Sequence, residues 1–364
     1  MKLRHLFTYD FAPGKVYRIP DVPYSVLWDI SYACNQHCRF CYNNEWDFQR
    51  RMPPASMTLR ISNLLADWGI KEIIILGGEP TLNPHLMEII SIFSSKGVQI
   101  RLISNGVNIS REMAAFFAEH DVETGISMHG TDADNHNYLT QTSLSFEKAL
   151  AAIENLSTAN AKCYVQFTPT KLSNTLWESA SFFRQKYPSI TCIDINRLMP
   201  HGVGQSAADT VFLDSEGWWN CLKQIPRVRR MGMNVSVESV PHCWIYDMAH
   251  HDNMSEEEIQ SIIASIRPCY MGINQIALDD LGRFKLCPGG NSIGESVLEK
   301  SPSSIWLDSD FLSSRRKFGF LPQKCLNFRT HTACPLFYEC GGGCKMTSTQ
   351  CGTESCSADR LIIT

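Results

Sequence analysis

The sequence predicts an α/β protein, a partial (β/α)6 barrel of the TIM type followed by a small cysteine-rich domain. Over the first two thirds of the chain, short β-rich runs alternate with segments of helical apolar periodicity. From Arg267 onward that periodicity fades into Gly, Pro, Ser and Cys. Eight of the fifteen cysteines fall between Cys269 and Cys356, which indicates a second unit stabilised by bound metal.

The predicted strands are apolar or β-branched runs separated by turn residues. They cover Tyr24–Ile30, Glu72–Leu76, Val98–Ile103, Val122–Met128, Lys162–Thr168 and Thr191–Asn196. Repeated strand–helix units favour a parallel sheet with right-handed crossovers. Ligands on such a sheet bind at the carboxyl ends of the strands.

Helical spacing and capping signals locate the helices between these strands. Apolar residues recur at helical spacing in three segments: Ile61, Leu64, Leu65 and Trp68; Leu86, Ile89, Ile90 and Phe93; and Phe146, Leu150 and Ile153. Gly97 lies where a C-cap is expected, a helix should begin around Trp218, and Ser255 with Glu258 forms a capping-box signature. We therefore divide the chain into an extension over 1–23, a barrel over 24–212, a helical bridge over 213–266 and a cysteine-rich domain over 267–364.

Composition limits the classes of function. The 364 residues are 44% hydrophobic and 19% charged, with a net charge of −4, as expected for a globular protein. A basic stripe is missing, which argues against nucleic acid as a partner. The first residues lack an apolar core long enough to predict a signal peptide, and no apolar run approaches membrane-spanning length. We expect a cytoplasmic protein without a membrane partner, in which many cysteines indicate metal binding rather than disulfides.

Three cysteines follow the first predicted strand directly. Cys34, Cys38 and Cys41 have the spacing C-x3-C-x2-C, and three thiolates can hold three irons of a [4Fe–4S] cluster while the fourth iron stays open. A zinc knuckle and three unrelated thiols are the alternatives. The motif and its place resemble those of the radical S-adenosylmethionine (SAM) enzymes. The resemblance implies that the open iron chelates SAM and that one electron cleaves it to a 5′-deoxyadenosyl radical.

Further motifs match that family's SAM pocket. Gly77-Gly78-Glu79-Pro80 ends the second strand, where the resemblance assigns Glu79 to the SAM amino group and the glycines to close backbone approach. Phe40, before the third cysteine, occupies the position of an aromatic side chain against adenine, and a packing role is compatible with it. A plain turn is the other reading of the Gly-Gly-Glu-Pro run.

Polar residues at the ends of later strands are further candidates for SAM binding. The resemblance points to Ser104, Asn105 and Ser127, and at the far side of the pocket to Arg197 and Met199, with Gln166, Thr168 and Asn174 as weaker candidates. Any of these could instead be a turn, cap or ion-pair residue. His129 and His136 could contact substrate or transfer a proton, but a histidine near a turn is more often a satisfied polar residue.

The C-terminal cysteines form a second pattern. Cys334, Cys340 and Cys344 have the spacing C-x5-C-x3-C, with Cys269, Cys287 and Cys325 before them and Cys351 and Cys356 after them. The array resembles the SPASM extension, which binds two auxiliary [4Fe–4S] clusters. By that resemblance Cys269, Cys287 and Cys344 ligate the cluster nearer the active site, and Cys334, Cys340 and Cys356 ligate the farther one. A zinc site is the alternative.

Departures from the pattern leave several ligands open. His331 stands where the family usually has a cysteine, so the fourth ligand of the farther cluster is either Cys325 or His331, and thiolate chemistry favours Cys325. Gln275 stands where some members carry a cysteine that ligates the nearer cluster. That cluster is therefore either completed by Cys243 or left with an open iron. Cys351 is a spare thiol or competes with Cys356.

The predicted function is oxidative maturation of a ribosomal peptide, in which a hydrogen atom is abstracted from a side chain and a crosslink or related modification results. Pro288 follows Cys287, where sulfatase-maturing members carry an aspartate, so that activity is disfavoured. A peptide would need a separate recognition protein or bind the barrel directly, and a reduced flavodoxin or ferredoxin would supply electrons. The alternatives are a small-molecule enzyme acting on an aminocyclitol or sugar, with Cys243 or Cys351 returning hydrogen, and a non-catalytic iron–sulfur protein.

Overall fold

The computed structural model describes residues 20–43, 52–173, 175–198 and 202–308, together with residues 310 and 344. The strands are β1 Ser25–Asp29, β2 Glu72–Leu76, β3 Gln99–Ser104, β4 Glu123–Met128, β5 Cys163–Phe167, β6 Cys192–Ile195, β7 Asn234–Val237, β8 Gln275–Leu278, β9 Arg283–Lys285 and β10 Ser292–Ser296. They form one sheet in the order β10-β9-β8-β1-β2-β3-β4-β5-β6-β7. The pairs from β8 to β7 are parallel, and β9 and β10 pair antiparallel at the β8 edge.

Helices connect the strands. They are α1 Ala55–Trp68, α2 Leu86–Ser95, α3 Arg111–Glu119, α4 Ala133–Thr140, α5 Ser145–Thr158, α6 Leu176–Lys186, α7 Ala208–Val211, α8 Ser215–Leu222, α9 Ile225–Arg230, α10 His242–His251, α11 Glu256–Ile263 and α12 Pro302–Trp306. Two 3₁₀ turns cover Pro80–Leu82 and Gly202–Ala207. In the part of the chain that the structure describes, no helix has the length and apolar character needed to cross a bilayer.

The predicted open barrel of parallel strands is confirmed, and all six predicted strands are present. β2 shows why: Ile73 and Ile75 on one face are fully buried, and Ile74 on the other face is 9% exposed. A strand buried on both faces belongs in the interior of a parallel sheet. β1 pairs with it in the register Ser25↔Glu72, so that both strands end at the same edge.

The predicted helix signals are also confirmed. Gly97 follows α2 with φ +70°, a left-handed conformation that ends the helix at low steric cost. At the start of α11 the Ser255 side chain accepts a hydrogen bond from the Glu258 N–H at 3.3 Å, and the Glu258 carboxylate accepts one from the Ser255 N–H at 3.2 Å. This reciprocal pair is the capping box.

Four strands were not predicted. β7 lies in the segment read as a helical bridge, and β8 to β10 lie beyond Arg267. β8 pairs with β1 in the register Ser25↔Gln275, and Ile276, Leu278 and Phe284 are fully buried. The apolar content of 273–306 was therefore underestimated, because short strands between Gly and Pro carry little periodicity. The domain division at 213 and 267 stays a prediction, and one sheet runs through both points.

Candidate cofactor site

The cysteine triplet lies in the loop that follows β1. Its backbone turns tightly, with the Cys41 N–H donating to the Cys38 carbonyl at 3.2 Å. The Gln36 N–H donates to Cys34 Sγ at 3.4 Å, and Cys38 Sγ donates to Gln36 Oε1 at 3.5 Å. All three thiols are free and half-buried. The loop thus presents three unoxidised sulfur donors from eight consecutive residues.

The end of α4 holds this triplet loop in place. The His37 N–H donates to the Thr140 carbonyl at 3.1 Å, and the Arg39 N–H donates to the Leu139 carbonyl at 2.9 Å. The Gln141 side chain, at the left-handed C-cap of α4, donates to the His37 carbonyl at 2.6 Å. Carbonyls that a helix leaves unpaired at its C-terminus are therefore satisfied by the cysteine loop.

The environment of the three thiols fits a bound iron–sulfur cluster. Burial raises the pKa of Cys34 to about 12, with the charges of Glu79 and Cys41 adding to the rise. Burial likewise raises the pKa values of Cys38 and Cys41. Thiolates at such a site need a compensating cation, which iron supplies. No three His, Cys, Asp or Glu side chains among the described residues are arranged to hold a single metal ion.

Gly77 and Gly78 bring the turn after β2 against the chain that leads to the triplet. The Gly78 N–H donates to the Ser31 carbonyl at 2.9 Å, and the Glu79 N–H donates to the Ala33 carbonyl at 2.8 Å. A Cβ atom on Gly77 would lie 2.3 Å from the Ser31 oxygen, and one on Gly78 would lie 2.3 Å from the Ala33 oxygen. The close approach that requires glycine is thus to protein backbone, and contact with a cofactor stays a prediction.

Glu79 is the buried carboxylate of the site, with 1% of its surface exposed. Its Oε1 accepts hydrogen bonds from the Thr81 N–H, the Thr81 hydroxyl and the Ser104 hydroxyl at 3.0, 2.6 and 2.7 Å. Its Oε2 accepts one from the Asn105 N–H at 2.7 Å. Burial raises the pKa of Glu79, and these donors oppose the rise. Oε2 therefore has remaining capacity to accept a hydrogen bond from a ligand.

Ser104 and Asn105 already use their polar groups to support Glu79 and the triplet loop. The Ser104 hydroxyl also accepts from the Gly106 N–H at 3.0 Å. The Asn105 side chain donates to Asn35 Oδ1 at 2.7 Å and accepts from the Val107 N–H at 2.9 Å. Direct contact of these two side chains with SAM stays a prediction.

An aromatic cluster joins Phe40 of the triplet loop to His129, His136 and Phe146. The Phe40 and His129 rings meet edge to face at 4.7 Å, and the two imidazoles stack at 5.1 Å. The backbone N–H of His129 donates to His136 Nδ1 at 3.2 Å, while the ring Nδ1 of His129 is buried without a partner. Burial lowers the pKa of His136 to about 4 and that of His129 well below its usual value. The two histidines, which the sequence offered as candidates for substrate contact or proton transfer, are thus buried and neutral, and His129 packs directly against Phe40.

The other candidates at the strand ends occupy two kinds of environment. Ser127 is half-buried in β4, in register with Gln166 on β5, whose amide donates to Asn196. Arg197 is 6% exposed, and its Nη1 donates to the Ser239 carbonyl at 2.8 Å beyond β7. Met199 and Asn174 lie outside the described residues.

A second group of thiols comes together at the end of β9. The charges of Cys344 and Cys269 add to burial in raising the pKa of Cys287, so these three predicted ligands of one cluster are neighbours. Cys243 is a buried cysteine in the first turn of α10. Five other predicted cysteines lie outside the described residues: Cys325, Cys334, Cys340, Cys351 and Cys356.

Comparison with known proteins finds matches along most of the chain. The model of the Radical SAM superfamily matches residues 28–171. The mycofactocin maturase MftC of Mycolicibacterium smegmatis is 24% identical over 338 residues, which cover 89% of this chain and 78% of that protein. Streptococcus suis SuiB bound to precursor peptide SuiA has a TM-score of 0.68 at 18% identity, covering 93% of this chain and 75% of that one. AnSMEcpe with bound AdoMet has a TM-score of 0.65 at 15% identity, covering 91% and 90%.

Proposed function

This chain is an enzyme of the radical SAM superfamily, and from that premise we propose that it modifies a side chain of a ribosomally made peptide. One observation supports a peptide substrate: the similarity to the maturase MftC extends over 89% of this chain, well beyond the matched family domain. SuiB, which has the same fold, is known in complex with its precursor peptide. The expected outcome is an oxidative crosslink or a related side-chain modification.

The described residues support assigned roles around the cofactors. Cys34, Cys38 and Cys41 would hold the [4Fe–4S] cluster, which together with SAM supplies the radical that abstracts hydrogen from the substrate. Glu79 would accept a hydrogen bond from the SAM amino group through Oε2, the oxygen with one protein donor. Phe40 would lie against the adenine. Ser127, Arg197 and Met199 complete the proposed pocket, with Gly77, Gly78, Ser104 and Asn105 holding Glu79 and its turn in place.

Two auxiliary [4Fe–4S] clusters are part of the proposal. The neighbouring thiols Cys269, Cys287 and Cys344 support the nearer cluster. Its fourth ligand is Cys243, or its last iron is open. Cys334, Cys340, Cys356 and Cys325 are proposed for the farther one. Such clusters accept the electron that an oxidised substrate loses.

The partners and the location follow from this chemistry. A flavodoxin or ferredoxin is the proposed electron donor, and a separate recognition protein is one route by which the peptide reaches the barrel. No disulfide joins any two cysteines among the described residues. A reducing, cytoplasmic location is consistent with that state and is part of the proposal.

The test is incubation of the anaerobically reconstituted enzyme with SAM, dithionite and short peptides encoded near its gene. We expect 5′-deoxyadenosine to form and one peptide to change mass, with both results lost in Cys38→Ala. Cys221→Ala is the matched control, because Cys221 is a core thiol within α8, far from the triplet in sequence. SAM cleavage without any peptide change would overturn the peptide substrate and favour a small molecule, with Cys243 or Cys351 as hydrogen donor. No SAM cleavage by a fully loaded protein would overturn the radical chemistry.

A further inference from the structure

A buried polar bridge joins the barrel to the β8–β9 hairpin. We define it as Asp29, Tyr32, Lys285 and the carbonyl of Pro288. Lys285 Nζ donates to Asp29 Oδ2 at 3.1 Å and also to the Pro288 carbonyl. The Tyr32 hydroxyl donates to the same Asp29 oxygen at 3.4 Å. One ammonium group thus contacts two segments that are more than 250 residues apart in the chain.

The polar bridge lies between the two groups of predicted cluster ligands. Asp29 is the last residue of β1, and the next segment of chain is the triplet loop. Lys285 is the last residue of β9, and Pro288 directly follows Cys287. The bridge therefore connects the loop that carries Cys41 to the loop that carries Cys287.

Burial makes this ion pair different from the others. The side chains of Lys285 and Asp29 are 5% and 1% exposed, whereas every other salt bridge between described residues has at least one partner that is 11% exposed or more. Moving two charges out of water is costly, so a buried pair is a poor source of net stability. Its best-attested role is to specify one arrangement of the segments that it joins. Asp29 Oδ1 is buried without a partner, so the carboxylate is not even fully satisfied.

We propose that Asp29 and Lys285 are positioning residues that hold the Cys287 loop in a single place against the triplet loop, so that the nearer auxiliary cluster assembles beside the first. The inference rests on the proposed function for the identity of that cluster. The arrangement of the two loops itself rests only on the contacts of the bridge.

The test uses the anaerobically reconstituted full-length chain and measures alkylation of individual cysteines by mass spectrometry after a short pulse of iodoacetamide. In Lys285→Met the Cys287 loop loses its ammonium contact, and we expect Cys287 to react at least about tenfold faster than in the wild type, as for a locally opened segment. Cys221, which is fully buried in the core, should keep its rate. Lys300→Met is the matched control, because Lys300 forms a half-exposed ion pair with Glu295 in the same region.

A double variant separates positioning from charge balance. Asp29→Asn with Lys285→Met removes both buried charges, so global stability should recover relative to Lys285→Met. The contact to Pro288 is still missing in the double variant. Alkylation of Cys287 should therefore stay fast, while alkylation of Cys221 stays slow. The inference is overturned if Cys287 is as protected in the double variant as in the wild type, or if Cys287 and Cys221 accelerate together in both variants.

Iron content and electron paramagnetic resonance of the same samples separate this inference from the proposed function. The iron content should be about eight per chain in Lys285→Met, against about twelve in the wild type. The variant should also lose the resonance signal of one cluster and keep the signal that responds to SAM. A wild type with only about four irons would overturn the auxiliary clusters and leave the alkylation comparison to decide on the bridge. Lys285→Met with the iron content of Lys300→Met would overturn the positioning role.

Discussion

At the scale of single residues, the chemistry of the site depends on how the protein satisfies a buried carboxylate. Glu79 has four protein donors and one oxygen that can accept more. A turn residue would need no such support from a neighbouring strand. The hydrogen bonds from Ser104 and Asn105 therefore favour a negative charge that is kept in place for a cationic ligand.

We predict that Glu79→Gln weakens SAM binding at least about tenfold, because the negative charge is lost. The substitution should also lower the free energy of unfolding by about 2 kcal/mol, because the new NH₂ group cannot accept the hydrogen bonds that the carboxylate accepted. Isothermal titration with SAM and urea unfolding measure the two effects. Glu88→Gln is the control, since Glu88 is 58% exposed on α2. Unchanged SAM affinity in Glu79→Gln would contradict the assignment of the SAM amino group.

His136 predicts a dependence of stability on pH. Its pKa in the folded protein is lowered by burial to about 4, from an ordinary value of 6.5. Between these values the unfolded chain binds a proton that the folded protein does not, so the free energy of unfolding falls as the pH is lowered from about 6.5 to about 4. The contribution of this residue is up to about 3 kcal/mol and is fully present above pH 6.5.

Urea unfolding of wild type and His136→Gln at pH 7 and pH 5 tests this dependence. Glutamine keeps a polar side chain but has no proton to gain, so the loss of stability between the two pH values should be smaller in the variant. His129 titrates in the same direction and leaves part of the effect. Equal losses in both proteins would show that His136 is not kept neutral by burial.

At the scale of elements, α12 shows that the chain beyond Arg267 contributes to the core of the barrel. Trp306 is fully buried, and its indole meets that of Trp68 on α1 at 6.1 Å. Its Nε1 donates to the Pro20 carbonyl at 2.7 Å, which joins α12 to the first described residue of the chain. The packing of α12 is therefore part of the barrel's stability.

We predict that Trp306→Ala lowers the free energy of unfolding by about 3–5 kcal/mol, because a large cavity opens against α1. Leu307→Ala, at a residue that is 44% exposed, should change it by less than about 0.5 kcal/mol. Chemical unfolding followed by tryptophan fluorescence and circular dichroism compares the two. A small effect in Trp306→Ala would mean that α12 folds apart from the barrel.

At the scale of the whole molecule, the two ends of the barrel have different chemistry. Glu72 and Glu123 begin β2 and β4, and the Arg101 guanidinium lies 3.8 and 3.2 Å from their carboxylates. These charges are paired with one another, whereas the thiols and Glu79 follow the carboxyl ends of β1 and β2. This division matches the general rule that function lies at the carboxyl ends of barrel strands.

The number of clusters per chain is the prediction that belongs to this scale. Wild type should hold about twelve irons after anaerobic reconstitution, and Cys34/Cys38/Cys41→Ala should hold about eight. The iron and sulfide contents measure this directly. About four irons per chain in the wild type and none in the triple variant would contradict the auxiliary clusters and favour redox-neutral chemistry.

The six central strands, the cysteine triplet, the Gly-Gly-Glu-Pro turn and the capping box of α11 could all be predicted from the sequence. Each of these signals is local, because it depends on spacing within about a dozen residues. Three long-range contacts could not be predicted in this way: the packing of Gly77 and Gly78 against Ser31 and Ala33, the pairing of β8 with β1, and the ion pair of Lys285 with Asp29. These contacts join segments far apart in the chain, so no pattern within either segment specifies its partner.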